Sequence, residues 1–168
     1  MGLLQLRDNL IDKEFGYWLS GFTDGEGCFG INIWKRKNLK YTGYTPYFQI
    51  SQRADSANQA ALELIRDTLK VGTIYPSYSK GKLPLSRLVV RRADENYEVI
   101  IPLFTTYPLK TKKRLEFELW SKAVEYLYDT REINAYKMMH RSLEEREARY
   151  NYCLQIKQEL ESVRQFRT

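Results

Sequence analysis

Two acids stand among glycines in the run Asp24-Gly25-Glu26-Gly27, and the residues before them, Leu19-Ser20-Gly21-Phe22-Thr23, are small or apolar. A helix studded with small residues can lie against a second copy of itself at short distance, which would set Glu26 beside its symmetry mate. Two carboxylates so placed repel at neutral pH and raise each other's pKa unless a cation bridges them. A divalent metal removes the conflict, and Mg2+ suits a site whose other ligands are oxygen and phosphate. Taken alone, the same four residues also read as a decorated turn in which Asp24 and Glu26 only cap a helix end. Other chemistry is scarce. The single histidine, His140, removes most zinc sites and any histidine-based triad. Two cysteines, Cys28 and Cys153, cannot build a disulfide framework and point to a reducing compartment. Carboxylates, lysines, glutamines and a metal ion are what remains.

Two further polar clusters could serve such a centre. Phe48-Gln49-Ile50-Ser51-Gln52-Arg53 ends an alternating run, and Leu109-Lys110-Thr111-Lys112-Lys113-Arg114 precedes an apolar helical pattern. By itself the lysine run is a solvated or phosphate-gripping cluster, and Gln52 is a polar residue at a strand end.

The elements that must position these groups follow from periodicity. Residues 12–24 repeat apolar side chains at Phe15, Trp18, Leu19 and Phe22, the spacing of a helix, with Asp12 as its N-cap and glycines to stop it. Residues 28–37 and 44–53 alternate as strands, joined by a polar hairpin over about 37–43. Ser56-Ala57-Asn58-Gln59 has a capping-box pattern and opens a helix over about 56–70. Residues 72–79 and 84–92 form a second hairpin, with Leu88 and Val90 or Leu85 and Val89 facing the core. Helices are expected over about 95–105, 111–128 and 142–166. The second of these carries Leu115, Leu119, Ala123 and Leu127, with a further stripe of Phe117, Trp120 and Val124 under the last helix. The last carries Leu143, Tyr150, Leu154, Ile156, Leu160 and Val163. The order is α–ββ–α–ββ–α with added helices, an α+β sandwich with a four-stranded antiparallel sheet. All 168 residues read as one domain, with a core over about 12–128 and a helical extension over about 129–168.

Charge is concentrated where the strands are. Residues 31–92 hold twelve basic residues against Asp55, Glu63 and Asp67, an excess of +9 in a chain whose net charge is +6. Such a block is the footprint of a polyanion-binding surface. No apolar run approaches the roughly 18–20 residues of a membrane span, and acids interrupt the N-terminal stretch where a signal peptide would be apolar. The expectation is an intracellular protein.

The nonapeptide Leu19–Gly27 resembles the LAGLIDADG motif of homing endonucleases, with Phe15, Tyr17 and Trp18 as its aromatic lead-in. It departs at Thr23, normally aliphatic, and at Glu26, where aspartate is usual and some members carry glutamate. The element order over about 12–128 matches that family, and the clusters at 48–53 and 109–114 fall where it keeps active-site residues. The resemblance implies a site-specific double-strand DNA endonuclease. In it, Glu26 and the backbone carbonyl of Gly25 would hold Mg2+, for which Mn2+ or Ca2+ could substitute in binding. Lys112, in preference to Lys110 or Lys113, and Gln52 would organise solvent around the scissile phosphate. Only one motif is present, so the resemblance implies a homodimer with Gly16, Leu19, Ser20, Thr23 and Asp24 at its interface, Asp24 capping the partner's motif helix. Its target would be a pseudo-palindrome cut on both strands.

The polar sheet face would then lie in the major groove. Asn32, Trp34, Arg36, Thr45, Tyr47, Gln49, Tyr75, Ser77, Arg87 and Arg91 share outward positions, with Arg36, Gln49 and Arg87 best suited to read bases. Lys35, Lys37, Lys40, Lys80 and Lys82 suit phosphates at hairpin tips, with Arg53, Lys110 and Lys113 as further DNA contacts. Cys28 reads either as a contact near the cleavage point or as a small half-buried residue. The partners expected are double-stranded DNA and a second copy, with no membrane and no small-molecule substrate. An intron in an organelle (chloroplast or mitochondrion) or a bacterial or phage cytoplasm would be the setting. An intron maturase and a non-catalytic DNA- or RNA-binding protein are the alternatives; loss of Glu26 would spare both and abolish DNA cutting.

Overall fold

The computed structural model describes residues 11–35, 42–78, 80–131 and 140–165. Helix α1 (Lys13–Glu26) leads directly into β1 (Gly27–Lys35), which pairs with β2 (Thr42–Arg53). Helix α2 (Ser56–Leu69), β3 (Thr73–Ser77) and β4 (Leu85–Val90) complete the repeat. A helical run follows, built of α3 (Ala93–Glu95), a π-helical turn (Asn96–Ile100) and α4 (Ile101–Thr106). Helices α5 (Lys113–Asp129) and α6 (Leu143–Gln165) close the described chain. The four strands form one antiparallel sheet in the order β1-β2-β4-β3. This is the α+β architecture expected from the element order.

One sheet face is the core. Phe29 pairs with Phe48, and Phe48 and Ile50 pair with Val90 and Leu88, so these side chains stand on one side and are buried. The ambiguity in β4 is thereby resolved: Leu88 and Val90 join the core, while Arg87 stands opposite Ser51 and Tyr75 on the other face. Phe29 lies 5.1–5.7 Å, centroid to centroid, from the rings of Phe48, Phe104, Phe117 and Trp120. Aromatic clusters of this kind supply much of the apolar area that leaves water on folding.

Four local expectations change. The N-cap of α2 is Asp55, whose carboxylate accepts from the Asn58 amide at 2.9 Å, and not Ser56. On α5 the stripe Phe117, Trp120 and Val124 faces the core and Leu115 is exposed. On α6 the buried residues are Arg149, Cys153, Ile156 and Leu160, whereas Leu143 is exposed. Two glycines were expected to stop α1 early. Instead the helix runs through Gly25 and Glu26, and Gly27 (φ −75°, ψ 155°) begins the strand in extended backbone.

Candidate active site and nucleic-acid interface

Helix α1 has two unlike sides. Gly16, Leu19, Ser20 and Thr23 are buried against their own chain. A Cβ on Gly16 would come within 2.4 Å of the Tyr107 ring, and the Ser20 hydroxyl donates to the Tyr107 carbonyl. These four residues therefore do not form the dimer interface assigned to them; the sheet and the 103–109 segment occupy that side. The open side carries Tyr17, Trp18, Gly21 and Gly25, at i, i+1, i+4 and i+8. Added Cβ atoms on Gly21 and Gly25 would meet nothing within 4 Å. Trp18 stacks on Phe22 at 5.4 Å and leans on Phe15 at 5.5 Å, so the aromatic lead-in continues this face.

Asp24 also differs from expectation. Its two carboxylate oxygens accept from the Lys110 amide (2.8 Å), the Thr111 amide (3.1 Å) and the Thr111 hydroxyl (2.7 Å) of the same chain. Its role is to clamp the segment that starts α5 onto the end of α1, where a partner-helix cap had been assigned. That clamp carries the lysine run to the motif. Lys110 and Lys112 are exposed, and Glu26, two residues from Asp24, is exposed at the helix end beside Gly25. Lys113 is half-buried, its ammonium 3.8 Å from the buried Glu116. Gln52 is half-buried two residues beyond Ile50, whose partner is Gly27. The antiparallel register therefore puts the Gln52 end of β2 beside the junction of α1 and β1.

On the outward sheet face, Asn32, Trp34 and Tyr75 are exposed and Cys28, Thr45, Gln49, Ser77 and Arg87 are half-buried. The Arg87 Nε is buried without a protein acceptor. Two outward aromatics have a second duty. Tyr47 lies on Gly30 and Trp34 on Gly43, across register pairs of β1 and β2, where any Cβ would strike the ring. Burial, followed by the nearby Cys28, pushes the Tyr47 phenol above its usual range. Arg53, Lys80, Lys82 and Arg91 are exposed. Lys35 ends β1, its side chain, like Arg36, Lys37 and Lys40, lying outside the described residues. A residue the motif reading missed, Arg164 of α6, reaches this face: it donates to Glu116 (2.8 Å) and to the Phe29 carbonyl and lies 3.9 Å from the Cys28 sulfur.

A family model described as LAGLIDADG endonuclease matches residues 19–124, from the open helix through the sheet to α5. The chain belongs to the LAGLIDADG endonuclease family. Over 116 residues, 69% of this chain, it is 36% identical to a probable intron-encoded endonuclease, Cox1-I1b, of Schizosaccharomyces pombe, but covers 28% of that protein. A probable intron-encoded DNA endonuclease 1 of Mycosarcoma maydis is 31% identical over 64% of this chain and 37% of its own. The chain thus spans about a third or less of these curated relatives. The LAGLIDADG homing endonuclease I-GzeII, solved with its DNA target, superposes with a TM-score of 0.65 at 27% identity, covering 84% of this chain and 43% of that one. The homing endonuclease I-TnaI shares the fold (TM-score 0.62, 19% identity) over 89% of this chain and 95% of its own.

Proposed function

We propose that this chain is a metal-dependent, site-specific DNA endonuclease that acts as a homodimer on a long pseudo-palindromic target. The observation that carries the reading is the bare glycine stripe of α1, which ends at an exposed Glu26 two residues after the Asp24 that clamps the Lys110-Thr111 backbone. A second motif helix packed on that stripe sets two Glu26 carboxylates side by side. Among the described residues of one chain, no group of three or more histidine, cysteine or acidic side chains could hold a metal. The donors at hand, the Glu26 carboxylate and the Gly25 carbonyl, are oxygens and suit Mg2+, with Mn2+ or Ca2+ as substitutes in binding. When bound, the metal would activate water and stabilise charge at the phosphate.

The chain's own groups supply the rest. Lys112, at the N-terminal end of α5, places a cation toward the scissile phosphate, and Gln52 orients water from the sheet end. Asn32, Gln49, Tyr75 and Arg87 face the major groove, and Lys80 and Lys82 grip phosphates. The family and the relatives' printed descriptions as intron-encoded proteins support an organellar intron as the source. Among the described residues no helix is long and apolar enough to cross a membrane.

Glu26→Gln is the decisive variant. Cleavage of the joined intron flanks in Mg2+ is expected to fall by about 10³-fold or more, with DNA binding within a few fold. Unchanged cleavage overturns the mechanism. Sedimentation with DNA is expected to give two chains per duplex, and one chain per cut duplex overturns the dimer.

A further inference from the structure

Four arginines converge at the end of the sheet away from Gln52. A pocket of about 240 Å³ there is lined by Tyr44, Thr45, Arg91, Arg131, Arg141 and Arg149 among others. Arg149 is 9% exposed, and its Nε donates to the Tyr44 hydroxyl at 2.7 Å and its Nη1 to the Thr130 carbonyl at 2.9 Å. Arg141 donates to the same carbonyl at 2.8 Å, and Arg131 lies 3.4 Å over the Tyr128 ring. None of the four forms an ion pair with a carboxylate of a described residue. A buried guanidinium whose partners among the described residues are all neutral, and which shares its pocket with three more cations, favours an anion beside it. Arginine's planar fork suits phosphate oxygens in particular.

We infer that this pocket is a phosphate site that holds the backbone of the DNA duplex where it leaves the reading face. The link is Arg91, whose guanidinium lies 5.1 Å over the ring of Tyr75 on the outward side of the sheet. Arg91 therefore belongs both to the pocket and to the outward face that carries Tyr75 and its register partner Arg87. Thr45, also of outward parity, forms its rim. Arg131, Arg141 and Arg149 lie beyond the family match at residue 124, so this grip belongs to the C-terminal helices of this chain. It rests on the endonuclease reading only in taking DNA as the polyanion.

The test is binding, measured in EDTA so that the metal centre plays no part. Fluorescence anisotropy with a duplex of the joined intron flanks is followed over a series of salt concentrations for three proteins. These are the parent, Arg131→Gln/Arg141→Gln, and a charge-matched control, Lys70→Gln/Lys122→Gln, on exposed positions elsewhere. Circular dichroism melts check that all three fold. Expected is weaker binding for the arginine pair, with a log K against log salt slope shallower by about one or more, and little change in the control. Arg131→Lys/Arg141→Lys is expected to recover the slope but only part of the affinity. Equal slopes for the two glutamine pairs overturn the site. Weakened binding to a transcript of the intron RNA, with DNA binding intact, overturns its assignment to DNA. A parent that binds this duplex without cutting it in Mg2+ sinks the nuclease reading and leaves the pocket standing.

Discussion

The two sides of α1 use small residues for opposite ends. Inward, Gly16 and Ser20 are small because Tyr107 occupies the space: one yields to its ring, the other binds its carbonyl. Outward, Gly21 and Gly25 are small although, among the described residues, an added Cβ on either would meet nothing within 4 Å. A glycine inside a helix costs about 1 kcal/mol relative to alanine, and only the inner one is repaid within this chain. The outer pair makes sense as a surface that another helix must approach closely.

Variants at these positions separate the two roles. Gly21→Leu is expected to cut DNA cleavage by roughly a hundredfold, about 2.7 kcal/mol of lost transition-state stabilisation, while its urea midpoint stays the same or rises. A normal cleavage rate in that variant would mean that the open face packs against nothing. Gly16→Val should do the reverse, lowering stability by about 1–3 kcal/mol through overpacking in the same urea titration. Thr23 sharpens the contrast. It is fully buried and its hydroxyl lacks a protein partner, so Thr23→Val is expected to gain about 1 kcal/mol by removing a buried unbonded polar group.

The cysteines give the smallest and most easily read effect. Burial pushes the Cys153 thiol from 9.0 to about 11, whereas Cys28 is half-exposed on the sheet face. A raised thiol pKa favours the folded state fully below pH 9. That contribution is lost as pH rises from 9 toward 11, because only the unfolded chain ionises freely there. At pH 8 a thiol reagent should label one site in the native protein and two in urea. Bound DNA should slow labelling of Cys28 and leave Cys153 as it was.

Much of this fold was legible because strand periodicity is unforgiving: Phe29, Ile31, Phe48 and Ile50 could share only one face. The motif helix, the sheet and the element order followed from local pattern. What failed depended on tertiary choice. Helix α5 offers two apolar stripes; Phe117, Trp120, Val124, Ala123 and Leu127 all enter the core, and only Leu115 in the first turn is left exposed, which local sequence does not decide. Arg149 is interior on α6 only because Tyr44 and Thr130, far away in sequence, receive its hydrogen bonds. The motif interface fell to a side of α1 that the chain itself covers because small residues occur on both sides. Asp24 was given to a partner because nothing local shows that Lys110 and Thr111 reach back 86 and 87 residues to it.

Strand β1 lies at the margin of the sheet, and its Phe29 carbonyl is met by Arg164 from the far end of α6. An uncovered marginal strand is an invitation to pair with another chain. Shortening the protein to the segment that resembles its relatives would keep the motif yet strip this guard from the strand. Such trimmed versions should clump through ribbon-to-ribbon joining, which gives the outlying helix a custodial part in keeping the molecule soluble long enough to find its site.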